Sequence, residues 1–369
     1  MVSSLSVSIL KKYSRLIMDY SLPNDPAIPN PKVISRLLTT TVIFIALLFF
    51  VASWQRTFEY GSLRPLAGGV SSAGDISYQP NSIASASVLP ASDPLIVAAG
   101  DIACTYPSTL ACQQKSTAAL IQKLVPTAVL ALGDTQYETG ALSDYAISYN
   151  NSWGEFKNIT HPTPGNHEYL TLGASGYFDY FDGVGKNTGP AGERGRGYYS
   201  FNIGAWHAIS LNANCSQVGG CGPDSPQNQW LKNDLASNSG VCTLAFWHQP
   251  KFSSGQHGGS HAYDTFWNEL YSYHADLVLN GHDHDYERFA KQDPHGSSAQ
   301  SAGIREFVVG TGGGSLRNFG VPQPNSQFRQ SGKFGVLLLT LKSNSYDWRF
   351  VSVDGKEVDS GSDTCNVSL

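Results

Sequence analysis

Residues 95–101 read LIVAAGD, and residues 128–134 read AVLALGD. Each begins with five apolar residues, a length that suits a buried strand, and each breaks off at a Gly-Asp pair. Between them KSTAALIQKL (115–124) carries its apolar residues at helical spacing, so the stretch predicts the strand-helix-strand unit of an α/β sheet. Further strands are expected at Tyr198–Ile203, Trp206–Leu211, Val241–Trp247, Leu277–Leu279, Ile304–Val309, Phe334–Leu341 and Ser345–Val353. Helices are expected at Pro226–Ala236 and Asp264–Tyr273.

Polar residues that can bind metals recur where the apolar runs stop. LIVAAGD ends on Asp101, AVLALGD on Asp134, TLAFWH on His248, and LVLNGHDH on His282 and His284, while HPTPGNHE supplies Asn166 and His167. In an α/β sheet the carboxyl ends of neighbouring strands share one rim, where ligands bind. Taken singly, a Gly-Asp after a strand is usually a turn, and a lone His beside Trp247 is usually packing. Together they supply hard oxygen and borderline nitrogen donors, and one carboxylate can bridge two ions about 3.5–4 Å apart.

The ordered set GD, GDxxY, GNHE, a His after an apolar strand, and GHxH resembles the calcineurin-like metallophosphoesterases, and more narrowly the purple acid phosphatases, over residues 94–357. Most metallophosphoesterases begin with Asp-x-His, whereas Asp101-Ile102-Ala103 lacks the histidine and Tyr137 stands three residues after Asp134. That is the purple acid phosphatase arrangement, and GHDHDYER (281–288) is typical of the same group. The resemblance implies a four-layer αββα sandwich of two mixed sheets with a dimetal site on one rim. It implies one ion held by Asp101, Asp134, Tyr137 and His284, and a second held by Asp134, Asn166, His248 and His282. A phenolate is a hard anionic donor, so Fe(III) is expected in the first site, with Zn(II), Mn(II) or Fe(II) in the second.

The activity implied is hydrolysis of small phosphate monoesters by a metal-activated hydroxide, in the manner of an acid phosphatase. His167 would touch the phosphate and protonate the leaving oxygen, with Glu168 orienting its ring. His257, nine residues after His248, is a further substrate candidate in the loop KFSSGQHGGSHA, ahead of His261. The alternatives are a phosphodiesterase or nucleotidase on the same metals, or a non-catalytic, metal-stabilised surface protein. An intact His167 argues against the last, because a structural site needs no proton donor. Plant members carry a β-sandwich domain ahead of the catalytic one; here an anchor and a tether stand in its place.

Residues 37–54, LLTTTVIFIALLFFVASW, form an uncharged run that suits a single transmembrane helix, preceded by a basic leader at 1–36. The positive-inside rule then leaves the N-terminus cytoplasmic and exports the rest; cleavage after a signal peptide, releasing a secreted protein, is the alternative. Residues 55–92 read as a flexible Ser/Gly/Pro linker, and 93–369 as the catalytic domain. Residues 1–56 hold six Lys/Arg against two Asp/Glu, leaving 18 against 27 in the remainder, so nothing basic is left there to grip nucleic acid. Hydrophobic residues at 41% exclude a disordered polyelectrolyte. All six cysteines lie beyond the apolar run and none forms a CxxC pair, which suggests disulfides on the oxidising side. Of fifteen connectivities, short spacing favours Cys104 with Cys112 and Cys215 with Cys221, leaving Cys242 with Cys365.

Other motifs fail on detail. GGSHA (258–262) lacks the final Gly and the preceding strand of a nucleophile elbow. GVGKNTG (183–189) has Tyr180 and Asn187 where a P-loop needs Gly and Ser/Thr. GTGGGS (310–315) reads as a tight turn, and Asn150, Asn158, Asn214 and Asn366 begin potential glycosylation triplets.

Overall fold

A computed structural model of the chain describes residues 93–105 and 112–366. The leader 1–36, the apolar run 37–54 and the whole linker 55–92 lie outside the described residues. Among the described residues, no helix is long and apolar enough to cross a membrane.

In chain order the strands are β1 (Leu95–Ala99), β2 (Ala128–Leu132), β3 (Thr160–Thr163), β4 (Thr188–Gly189), β5 (Gly192–Glu193), β6 (Tyr199–Ile203), β7 (Trp206–Ser210), β8 (Cys242–Phe246), β9 (Leu277–Asn280), β10 (Tyr286–Phe289), β11 (Arg305–Val309), β12 (Ser326–Gln330), β13 (Gly335–Leu341), β14 (Ser345–Ser352) and β15 (Glu357–Thr364). The helices are α1 (Gln114–Leu124), α2 (Leu142–Ile147), α3 (Ser175–Phe181), α4 (Pro226–Ser237) and α5 (Asp264–Ser272). One sheet has the order β15-β14-β13-β1-β2-β3, with β1, β2 and β3 parallel. The other has the order β12-β10-β11-β9-β8-β7-β6, with β7, β8, β9 and β11 parallel; β4 and β5 make a small hairpin. Both sheets are mixed, as the resemblance implies.

Period-two alternation distributes the apolar side chains between layers. On β8, Leu244 and Phe246 enter the core shared by both sheets, while Ala245 and the following Trp247 enter a second core with Leu231 and Leu235 of α4 and Phe266, Trp267 and Leu270 of α5. Strand β9 divides likewise, with Leu277 and Leu279 on one side and Val278 on the other. Rings join the sheets directly: Tyr286 of β10 stacks on Phe350 of β14 with centroids 4.0 Å apart. On the far side of the first sheet, α1 buries Thr117, Ala118, Leu120 and Ile121, the face its spacing predicts. The helix stops at Val125, a left-handed residue (φ 50°) whose N–H returns to Ile121 O, just before Pro126. Helix α4 starts where Ser225 accepts from Asn228 N and Pro226 occupies the first turn.

Strands β3, β10, β12 and β15 and helices α2 and α3 were not expected from the sequence. EVDSGSDT of β15 has almost no apolar alternation, and it becomes a strand by pairing along β14. Gly361 lets it do so, since a Cβ there would lie 2.3 Å from the Trp348 ring. The cysteines pair as spacing favoured, Cys104–Cys112, Cys215–Cys221 and Cys242–Cys365, with no free cysteine among the described residues. The third bridge spans a separation of 123 residues. Loop-closure entropy alone gives such a bridge about 5 kcal/mol. Two of the glycosylation triplets have their amides in use: Asn214 Nδ2 donates to Pro164 O and Gly165 O, and Asn366 Nδ2 to Ala275 O and Gly303 O.

His161 of β3 stacks on Phe201 of β6 at 3.7 Å, and burial pushes its pKa down to about 4. The unfolded chain therefore binds a proton that the folded chain refuses, so stability is full above the ordinary histidine range and falls as pH drops from about 6.5 towards 4. Replacing the ring with His161→Phe keeps the stack and should flatten that acid limb. Thermal unfolding midpoints at pH 7 and pH 4.5 check it: an unchanged acid loss in the variant would remove His161 as the cause.

Candidate metal centre

The carboxyl ends of β1, β2 and β3 in one sheet and of β8 and β9 in the other meet at a single rim. Main-chain bonds sew the loops together there, with Asp101 N donating to Gly133 O (3.0 Å), Gly281 N to His248 O (2.9 Å) and Gly312 N to Gly100 O (2.9 Å). Two motif glycines are required by this closeness. Gly133 has φ +82°, and a Cβ on it would lie 2.6 Å from His248 Nδ1; a Cβ on Gly165 would lie 2.1 Å from Asp134 Oδ1. Three non-glycine residues of the rim, Asp101 (φ 59°), Asp134 (φ 44°) and His282 (φ 70°), are left-handed as well. Such conformations cost on the order of 1–3 kcal/mol each and gather at functional sites.

The side chains converge from all five strand ends. Tyr137 Oη donates to Asp101 Oδ1 (2.7 Å) and lies 3.0 Å from His284 Nε2. His284 Nε2 is also 3.3 Å from Asp101 Oδ1. His248 Nε2 lies 3.3 Å from Asp134 Oδ2 and 3.3 Å from His282 Nδ1. Asp101, Asp134 and His248 each present a ligand atom within 4.8 Å of the others. Asn166 follows Gly165 in the loop after β3, with its Oδ1 3.5 Å from Gln249 Nε2. The second nitrogens of two rings are committed elsewhere: His248 Nδ1 to Leu132 O (2.8 Å) and His284 Nδ1 to Ser315 O (2.6 Å). A carbonyl only accepts, so each Nδ1 carries a proton and each Nε2 is the nitrogen left facing inward, able to offer its lone pair to an ion once any proton on it is released.

The electrostatics match that geometry. Burial alone would raise the Asp101 carboxyl, but His284, His248 and the Tyr137 hydroxyl hold it well below the usual range. Burial likewise opposes Asp134, yet His248 keeps it low. Burial disfavours a charged His248, but Asp134 and Asp101 outweigh it and lift the ring to about 10; burial and His248 press His282 down to about 3. Two buried carboxylates thus hold a proton on His248, a place a cation can take with release of that proton. Two ring nitrogens 3.3 Å apart with a carboxylate beside them suit such an ion, and the phenol, carboxylate and imidazole set suits hard and borderline cations.

His167 stands beside this group. Its N–H donates to Asp134 Oδ1 (2.9 Å), its Nε2 is 3.8 Å from Asp134 Oδ2, and its ring packs edge-on against Tyr137 with centroids 4.6 Å apart. Its Nδ1 faces Glu138 O at 2.5 Å, so the backbone, and not Glu168, orients the ring. The expectation for Glu168 is corrected accordingly. Glu168 is fully buried, with Oε2 accepting from Asp134 N (3.0 Å) and Gly165 N (2.6 Å), and Oε1 from Thr135 N (2.8 Å), Gln136 N (3.2 Å), Thr135 Oγ1 and Tyr145 Oη. It is a positioning residue that shapes the loops bearing Asp134 and Asn166. His257 stacks on His282 at 4.4 Å and accepts a hydrogen bond from Arg317 Nη1; His261 is exposed and pairs with Asp264. Arg317 was missed in the sequence, where nothing in LRNFG ties a lone arginine to motifs 33 or more residues away.

Residues 94–286 match the calcineurin-like phosphoesterase family. Purple acid phosphatase 15 of Arabidopsis thaliana is 30% identical over 251 residues, covering 59% of this chain and 44% of that protein. The probable purple acid phosphatase 20 of the same plant is 27% identical over 214 residues, covering 52% and 49%. The chain thus spans about half the length of these relatives or less. Among solved structures, a purple acid phosphatase from yellow lupin (Lupinus luteus) seeds aligns over 74% of this chain and 54% of its own, with a TM-score of 0.59 at 19% identity. GAP50, described as the anchor in the inner membrane complex of Plasmodium, aligns over 75% and 90% with a TM-score of 0.54 at 16% identity. These two share the fold with our chain. The family match over more than half its length, together with the Asp101, Asp134 and Tyr137 constellation, makes the chain a purple acid phosphatase-like member of the calcineurin-like phosphoesterase family.

Proposed function

We propose that the chain hydrolyses phosphate monoesters as a dinuclear metalloenzyme. The observation that carries this reading is the convergence of Asp101, Asp134, Tyr137, His248, His282 and His284 with the free ring nitrogen of His167 alongside. Asp101, Asp134, Tyr137 and His284 would hold one ion, and Asp134, Asn166, His248 and His282 the other. When bound, such ions supply Lewis acidity towards phosphoryl oxygens and a water acidic enough to react near neutral pH. The protein's share is to aim donors and handle protons. With Nδ1 committed to Glu138 O, a protonated His167 presents Nε2–H to the departing alkoxide. No covalent phosphoenzyme is needed.

Burial and the charges of Asp101 and Asp134 raise the Tyr137 phenol well above its ordinary value, so a strongly polarising cation is needed to make it a phenolate. This favours Fe(III) in the first site, with Zn(II), Mn(II) or Fe(II) in the second. Phenolate-to-iron charge transfer should colour the oxidised protein, and Tyr137→Phe should abolish the colour. Visible absorption with metal analysis checks it; a colourless, fully active protein holding only Zn or Mn would refute the iron assignment. Three disulfides support a domain working outside the reducing cytosol, and the run 37–54 supports anchoring to a membrane. Turnover of p-nitrophenyl phosphate against its bis ester tests the reading as a whole: preference for the bis ester would make the chain a diesterase, and no turnover of either with metals loaded would refute hydrolysis.

A further inference from the structure

One cationic side chain at the site has no part in holding metals. Arg317 is half-buried and lines a cavity of about 110 Å³ together with Tyr137, His167, His284 and Ser315. Pockets for whole organic ligands run to roughly 300–1,000 Å³, so this open cleft matches a phosphoryl group, with the rest of an ester left to project outward. Arg317 is fixed from two directions. Its N–H donates to His284 O (3.0 Å), and its Nη1 donates to His257 Nε2. His257 is held in turn by its own N–H on Asp283 Oδ1 (2.8 Å) and by the stack on His282. Arg194, Arg288 and Arg305 each face an aspartate within 2.7 Å, whereas Arg317 has no carboxylate partner among the described residues. A guanidinium without a counter-ion, tethered beside a phosphoryl-sized cavity, is built to receive an anion.

We propose that Arg317, steadied by His257, binds a terminal oxygen of the phosphoryl group and thereby selects phosphate monoesters over diesters. The inference rests on the phosphoesterase reading above and deepens it. A monoester dianion presents three terminal oxygens and a diester two, with one negative charge fewer. Because Tyr137 and His284 on the metal side and Arg317 line the same small cleft, a third terminal oxygen can meet the guanidinium fork. A diester places an esterified oxygen and its carbon there, which leaves N–H donors unpaired.

The test uses Arg317→Met and Arg317→Lys in the metal-loaded chain. Loss of a hydrogen-bonded charge should lower kcat/KM on p-nitrophenyl phosphate ~10- to 100-fold in Arg317→Met and leave bis(p-nitrophenyl) phosphate within about twofold. Lysine should restore part of the loss, since it keeps the charge without the fork. Calorimetry supplies a readout apart from turnover: inorganic phosphate should bind more weakly by a similar factor, and dimethyl phosphate should be unmoved. Equal losses on both esters, no loss on either, or unchanged phosphate affinity would overturn the proposal. A wild type that hydrolyses neither ester would refute the phosphoesterase reading, while the phosphate-binding comparison would still judge Arg317.

Discussion

His167→Ala is expected to keep both metals yet lower kcat on an alkyl phosphate by ~10²–10⁴. The backbone N–H of residue 167 that supports Asp134 Oδ1 survives the substitution, and none of the six converging donors is touched. The loss is that of a proton at the leaving oxygen, so it should track the need for one. p-Nitrophenolate departs without much protonation, and the loss on its ester should be smaller. A metal ligand behaves differently: His282→Ala should lose the second ion and harm both substrates alike. Kinetics on the two esters, with metal content measured on the same sample, decide the matter. Equal losses with intact metals would make His167 a phosphate-binding residue; loss of metal would show that it supports the centre itself.

Glu168→Gln should destabilise the domain by roughly 3–5 kcal/mol, since each buried donor left unpaired costs about 1–3 kcal/mol. The native carboxylate receives two backbone N–H groups on Oε2 and two more on Oε1. A glutamine is almost the same shape, but whichever way its amide turns, an NH₂ group confronts N–H donors. Burial and Asp134 push the Glu168 carboxyl up, and the amides of Gly165 and Gln136 pull it back towards the anion that only a carboxylate can supply. Asp134 and Asn166 both ride on the loops it organises, so metal affinity should fall ~10- to 100-fold. Denaturant unfolding and metal titration of the purified variant check this, and near-wild-type values in both would relegate Glu168 to a replaceable buried group.

Much of the site was legible because it lies at the ends of apolar runs. Asp101, Asp134, His248, His282 and His284 each interrupt a strand that the sequence displays, and sheet geometry then assembles them. Tyr137 was legible by its spacing from Asp134. What escaped depends on contacts between distant segments: Glu168 acts on backbone atoms 32–34 positions earlier, and Arg317 meets His257 across 60 positions. The same limit explains the strands. Buried β1, β2, β8 and β9 announce themselves by hydrophobicity, whereas the polar β12 (SQFRQ) and β15 exist because a neighbouring strand offers them hydrogen bonds.

Three imidazoles at the centre, those of His248, His167 and His284, take their tautomers from main-chain carbonyls, those of Leu132, Glu138 and Ser315. Every residue type brings an identical carbonyl oxygen, so as far as the rings are concerned the side chains at these three positions do not matter; Leu132 is held to an apolar residue by the core it fills, and not by His248. Their duty leaves no trace in the alphabet of side chains. What must be inherited is the path of the backbone, and with it the small residues that let the strand ends nest so closely. Relatives that keep Gly133 and Gly165 while varying residues 132, 138 and 315 would carry the same wiring under a different spelling.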